Sequence, residues 1–160
     1  MDRRFLIAGV AALGLAACGK KTKTKVIGPN EAYLEKHGKE EGVKTTASGL
    51  QYKVVRANPT GQQPKLGDEV KVNYEGTLID GTVFDSSYAS GAPVIFPLDN
   101  LVKAWLEAIP MMHVGEEWIV TAPPELGYGE QDRPSIPGNS VLVFRIELLG
   151  VLPAPQRGLA

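Results

Sequence analysis

A chain of 160 residues, 43% hydrophobic and 22% charged, carries enough apolar mass for one domain with one core, and no internal repeat divides it. Its single cysteine excludes an internal disulfide. The formal net charge of −1 is unevenly spread: residues 1–25 hold Arg3, Arg4 and four lysines against Asp2, a net of +5, which leaves −6 for residues 26–160 and argues against nucleic acid as a partner.

The positive start Met1-Asp2-Arg3-Arg4 and the apolar run from Phe5 to Ala17, too short to span a bilayer comfortably, predict an export signal over residues 1–17. The run closes on Leu15-Ala16-Ala17-Cys18-Gly19, which resembles the lipobox of bacterial lipoproteins, so Cys18 is the expected site of acylation. The competing reading makes Cys18 a small residue beside an ordinary signal-peptidase site. Lys20 to Lys25 is polar and without apolar periodicity, which predicts a lipidated tether over residues 18–29 that also meets anionic headgroups. Gly19 stands where inner-membrane retention is associated with aspartate, so the expected address is the outer membrane, facing the periplasm.

A helical lead-in is expected over residues 30–48: Asn30 to Glu41 is rich in helix formers, Asn30 is able to cap it and Gly42 to stop it. Only Ala32, Tyr33 and Leu34 offer it anything to pack, so it reads as weakly anchored. From Leu50 the period changes to two. Leu50 to Val54 alternates, Asn58-Pro59 and Gly61 interrupt, and Val70, Val72 and Tyr74 recur at every second position. Asp80-Gly81 between Leu78-Ile79 and Thr82-Val83-Phe84 predicts a type I′ hairpin turn, and the prolines of Pro93 to Leu98 predict an edge strand. Asp99 or Asn100 is placed to cap an amphipathic helix through Leu101, Val102, Trp105, Leu106 and Ile109, limited by Pro110. His113 to Glu117 reads as a turn into a strand at Trp118-Ile119-Val120, and Val141 to Leu149 supplies another. Strands outnumber helices and hairpins dominate, which predicts an α+β domain with a helix against an antiparallel sheet.

Five local strings recur through these elements: VNYEG at Val72–Gly76, DGTVFDSSY at Asp80–Tyr88, LVKAW at Leu101–Trp105, ELGYG at Glu125–Gly129 and VLVFRIELLGV at Val141–Val151. In order and spacing they resemble the FKBP-type peptidyl-prolyl isomerases over residues 49–151, with residues 152–160 left as a tail. The resemblance implies a strongly twisted antiparallel sheet wrapped around one short α-helix, with the ligand cleft between them. It also implies acceleration of X-Pro bond rotation in exported or envelope proteins, with proline-containing polypeptides as substrates and no cofactor.

Carried onto this chain, the family's pocket would be walled by Tyr74, Phe84, Leu101, Val102, Ile136 and Phe144 with Trp105 as its floor. Asp85 would accept a hydrogen bond from Tyr74, the Val102 N–H would hold one substrate carbonyl and Tyr128 would offer its hydroxyl to another. Without the resemblance, the aromatic residues read as core, and Asp85 beside Ser86-Ser87 as a turn residue. Ala104 stands where the family often has glycine, and the third wall aromatic often found near Val94 is absent, with Phe96 two residues on. Those departures weaken the expectation of macrolide inhibitor binding more than that of isomerase activity. Arg133 falls near the rim, either selecting the residue before proline or standing as a solvated charge.

Too little chain precedes Gly49 for the long dimerising helix of some bacterial members, so a monomer is expected. Neither His37 nor His113 has metal-ligand spacing, and there is no nucleophile elbow or phosphate-cradling glycine loop. The alternative function is a proline-peptide-binding chaperone module with little turnover, and a third is a lipoprotein domain that only docks a partner.

Overall fold

A computed structural model describes residues 28–152. The signal segment, Cys18, most of the tether and nearly all of the tail therefore lie outside the described residues. Helix α1 (Pro29–His37) leads in, followed by strands β1 (Val43–Thr45), β2 (Gln51–Arg56), β3 (Glu69–Leu78) and β4 (Val83–Ser86). A single turn of helix, α2 (Ser87–Ser90), strand β5 (Val94–Pro97), helix α3 (Lys103–Ala108) and strands β6 (Glu117–Ala122) and β7 (Leu142–Leu152) complete the order.

The seven strands form one sheet in the order β1-β2-β6-β7-β3-β4, with β5 also paired to β3, and every pairing is antiparallel. The α+β reading holds. Val70, Val72 and Tyr74 on β3 and Leu142, Phe144, Ile146 and Leu148 on β7 are buried at alternate positions, so the period-two pattern marks the core face. Trp105, Ala104 and Ala108 bring α3 onto that face. Strand β5 is an edge, as its prolines require, since it pairs with β3 alone.

Three local expectations change. Helix α1 starts at Pro29, whose missing N–H costs nothing at the first helical position, and it ends at His37, four residues before Glu41. Its anchor is His37: the buried ring meets Gln51 Oε1 at 2.7 Å while Gln51 Nε2 donates to the Leu34 carbonyl at 2.8 Å. With the amide committed that way, Nδ1 of His37 is the donor. Ala32, expected to pack, is exposed.

The hairpin between β3 and β4 is not type I′, because among the described residues Asn139 is the only non-glycine with positive φ and Asp80 therefore lacks it. Gly81 donates to the Leu78 carbonyl at 3.0 Å, Leu78 donates to the Thr82 carbonyl at 2.9 Å, and Gly81 alone takes a left-handed φ of +88°. This is a three-residue loop closed by a glycine bulge. Asp80 Oδ1 accepts from the Thr82 N–H at 2.9 Å, which fixes the bulge from the side chain.

Helix α3 is shorter than the apolar pattern suggests. Val102, not Asp99 or Asn100, is its N-cap, with the Val102 carbonyl accepting from Trp105 at 2.9 Å and Leu106 at 3.2 Å. Pro110 falls inside a 3₁₀ turn, Ile109–Met111, that continues from the helix. Leu101 and Val102 are consequently outside the helix, Leu101 in a bend and Val102 extended, which frees them to wall a cleft.

Candidate active site

The ladder on one side of β3 is broken. Strand β4 pairs with Glu75 to Thr77 and β5 with Glu69 to Val72, leaving Asn73 and Tyr74 between them. Ser87, 2% exposed, fills the break: its Oγ accepts from the Tyr74 N–H at 2.9 Å and donates within reach of the Tyr74 carbonyl at 3.3 Å. A side chain thereby satisfies backbone groups that no strand reaches.

At that break opens a hollow of about 290 Å³ lined by Tyr74, Phe84, Asp85, Phe96, Asn100, Leu101, Val102, Trp105, Tyr128 and Phe144. Trp105, 4% exposed, is its centre: Tyr74, Phe96 and Phe144 meet the indole edge-on at centroid distances of 5.1, 5.7 and 5.6 Å. Phe84 stands at 90° to Phe144 at 5.7 Å. Each such pair contributes roughly 0.5–1.5 kcal/mol beyond burial, so the aromatic walls hold one another upright. Trp105 Nε1 is closed from solvent and has no hydrogen-bond partner among the described residues.

Two polar groups meet at the opening. The Tyr74 hydroxyl donates to Asp85 Oδ2 at 2.6 Å, and Asp85 itself is exposed. Burial pushes the Tyr74 hydroxyl well up from its ordinary range, and the bond to Asp85 and that carboxylate's charge push it further. Tyr74 is therefore a permanent donor at any physiological pH. Tyr128 follows the 3₁₀ turn Pro124–Leu126, and its neighbour Gly129 donates to the Pro124 carbonyl at 2.8 Å while accepting from Asn139 at 2.7 Å. The loop that carries Tyr128 is pinned on both sides. As the N-cap of α3, Val102 has an N–H that the helix does not use.

Of the residues expected in the pocket, Tyr74, Phe84, Asp85, Leu101, Val102, Trp105, Tyr128 and Phe144 meet around this hollow. Ile136 does not line it; it is 6% exposed, packed in the core and bridged to Arg133. Phe96 and Asn100 do line it and were not expected there. Phe96 supplies the third wall aromatic, two residues from Val94: both point the same way on β5, so strand alternation was the available signal. Asn100 looked like a helix cap, and the late start of α3 turns it into a rim residue.

The sequence model described as "FKBP-type peptidyl-prolyl cis-trans isomerase" matches residues 60–149, and that described as "Domain amino terminal to FKBP-type peptidyl-prolyl isomerase" matches residues 13–54. The peptidyl-prolyl cis-trans isomerase Mip of Coxiella burnetii is 50% identical over 76% of this chain and 53% of its own length. The FKBP-type peptidyl-prolyl cis-trans isomerase FkpA of Escherichia coli K12 is 50% identical over 78% of this chain and 46% of its own. Among solved structures, FkpA from Escherichia coli superposes with a TM-score of 0.75 at 49% identity, over 79% of this chain and 59% of that one. A peptidyl-prolyl cis-trans isomerase from Pseudomonas syringae pv. tomato gives 0.72 at 31% identity, over 77% and 90%.

An antiparallel sheet and a short helix define an α+β domain with an aromatic-walled cleft between them. The chain belongs to the FKBP-type peptidyl-prolyl cis-trans isomerase family. It spans about half the length of the curated relatives it matches.

Proposed function

We propose that the protein is a peptidyl-prolyl cis-trans isomerase acting on proline-containing polypeptides of the cell envelope or the exported pool. The observation that supports this best is the aromatic hollow on Trp105, with an ordered carboxylate and a protonated phenol at its mouth. An X-Pro bond turns slowly because amide resonance sets a barrier of about 20 kcal/mol. As the imide twists, conjugation is lost and its carbonyl becomes less dipolar. A water-poor apolar cleft disfavours the dipolar planar forms more than the twisted one, and only such a differential accelerates rotation.

In this reading the proline ring rests on Trp105 between Phe84, Phe96 and Phe144. The Val102 N–H and the Tyr128 hydroxyl hold substrate carbonyls on either side of the twisting bond. Asp85, kept in place by Tyr74, faces the imide. No bond is broken, so the roles are shape, dryness and three or four fixed polar groups. A protease-coupled assay on a proline reporter peptide tests it; rates equal to the uncatalysed rate would favour a proline-peptide-binding chaperone module instead. A macrolide inhibitor added to the same assay tests whether bulkier ligands enter the cleft, which Ala104 beside the floor and Phe96 on the wall would reshape.

The same proposal extends to location. Cys18 as an acylated residue, the lysine-rich tether after it and Gly19 support an outer-membrane anchor facing the periplasm. Labelling with a radioactive fatty acid, retained in wild type and lost in Cys18→Ser, tests the anchor, and sizing the folded domain tests the expected monomer.

A further inference from the structure

Arg133 differs from the arginines of the sheet. Arg56 is tied to the carboxylates of Glu117 and Glu147, at 3.5 and 2.6 Å, and Arg145 to that of Glu117, at 2.6 Å. Among the described residues no carboxylate lies within ion-pair distance of Arg133, and its side chain makes no hydrogen bond. Its guanidinium lies instead 3.9 Å from the centre of the Tyr128 ring, well inside the range of a cation–π contact. Tyr128 walls the hollow, so the cation is parked at its rim.

The position is built rather than incidental. Arg133 donates through its backbone to the Ile136 carbonyl at 2.8 Å and accepts from the Ile136 N–H at 3.1 Å, and Ile136 is sunk in the core. The neighbouring acid, Asp132, turns into its own loop and accepts from the Gly138 N–H at 2.7 Å. Five guanidinium donors therefore face solvent beside a substrate slot whose one charged lining residue is Asp85. Asp85 in the lining and Arg133 over Tyr128 thus bring opposite charges to one slot.

We propose that Arg133 is a specificity-determining residue that favours polypeptides bearing a carboxylate side chain next to the proline. The inference rests on the isomerase reading. A Glu or Asp flanking the proline is drawn to the Tyr128 side, where the planar guanidinium accepts it, and is kept from the Asp85 side by like charge. A Lys at the same place has no such partner at Tyr128.

The test compares kcat/KM for peptides with Glu, Leu or Lys immediately before proline, and a second set with those residues immediately after it, in wild type, Arg133→Gln and Arg133→Glu. Wild type should prefer Glu over Lys in at least one set by about three- to fivefold, the scale of an exposed ion pair. Arg133→Gln should erase the preference, Arg133→Glu should reverse it, and high salt should shrink it in wild type. Circular dichroism melts confirm that the variants fold. If both variants lower turnover of all peptides by the same factor, or change none, Arg133 only props the Tyr128 ring or does nothing, and the proposal fails. Inactivity of wild type on the Leu peptides would overturn the isomerase reading along with it.

Discussion

Gly76 offers the sharpest test of how the cleft is assembled. It sits on β3 beneath the aromatic wall, and a Cβ there would lie 2.5 Å from Phe84 Cζ, 2.6 Å from Cε2 and 3.2 Å from Phe144 Cε1. Ordinary contact begins near 3.4 Å, so Gly76→Ala forces the Phe84 ring to retreat by about 0.9 Å, the difference between 3.4 and 2.5 Å. Phe84 is half-buried and lines the hollow, so the ring moves into it. Overpacking of this size costs about 1–3 kcal/mol. For a domain of this length that lowers Tm by roughly 4–12 °C. Displacing a binding wall by about 1 Å costs up to ~100-fold in turnover, and we expect a loss of at least tenfold in kcat/KM. Gly150 on β7 is the control, since a Cβ there meets only Lys71 Cβ at 3.9 Å and Gly150→Ala should leave melting and activity near wild type. If Gly76→Ala melts and turns over like Gly150→Ala, the Phe84 wall is not where substrate binds.

Trp105→Ala should cost about 3–5 kcal/mol in denaturant titrations, because three edge-on aromatic contacts go with it, and should abolish turnover in the coupled assay. Tyr128→Phe removes one donor to the substrate and should reduce kcat/KM by roughly two- to tenfold with melting unchanged. Tyr74 titrates higher in the folded chain than its ordinary value of 10.0, so the folded state holds the proton more tightly. Its contribution is full below pH 10 and lost as pH rises beyond it; Tyr74→Phe should flatten that alkaline decline in melts. For Glu116 the sign is opposite. Burial pushes the carboxyl up, but the N–H groups of His113 at 2.9 Å and Asn58 at 3.1 Å outweigh it and hold it below its ordinary 4.5. Stability from Glu116 is present above that value and lost as pH falls below it, so Glu116→Gln should cost about 1–3 kcal/mol at neutral pH and progressively less as the pH is lowered below 4.5.

The parts of the fold that follow from repetition were legible in the chain. Val70, Val72 and Tyr74 alternate because one face of β3 is dry, and the same rule placed β7. What was not legible depended on partners distant in sequence. His37 anchors α1 through Gln51, fourteen residues on, and a polar pair of that kind leaves no hydropathy signal. Asp80-Gly81 fits two turn types, and the choice falls to the bulge that Thr82 and Asp80 make together. Apolar spacing from Leu101 to Ile109 suits a helix throughout, yet its first two apolar residues lie outside the helix.

That last difference explains why the site was easier to name than to build. A helix beginning at Leu101 would have turned Val102's N–H into its own first turn and hidden Asn100 as a cap. Starting it at Lys103 instead leaves Leu101 and Val102 as a wall of the hollow, with a Val102 N–H that the helix does not use. Ser87 closes the break in the ladder at Tyr74, and the aromatic rings close the floor of the hollow. The cleft is thus the region that neither sheet nor helix fills, and the charged groups at it are Asp85, held by Tyr74, and Arg133, stacked on Tyr128.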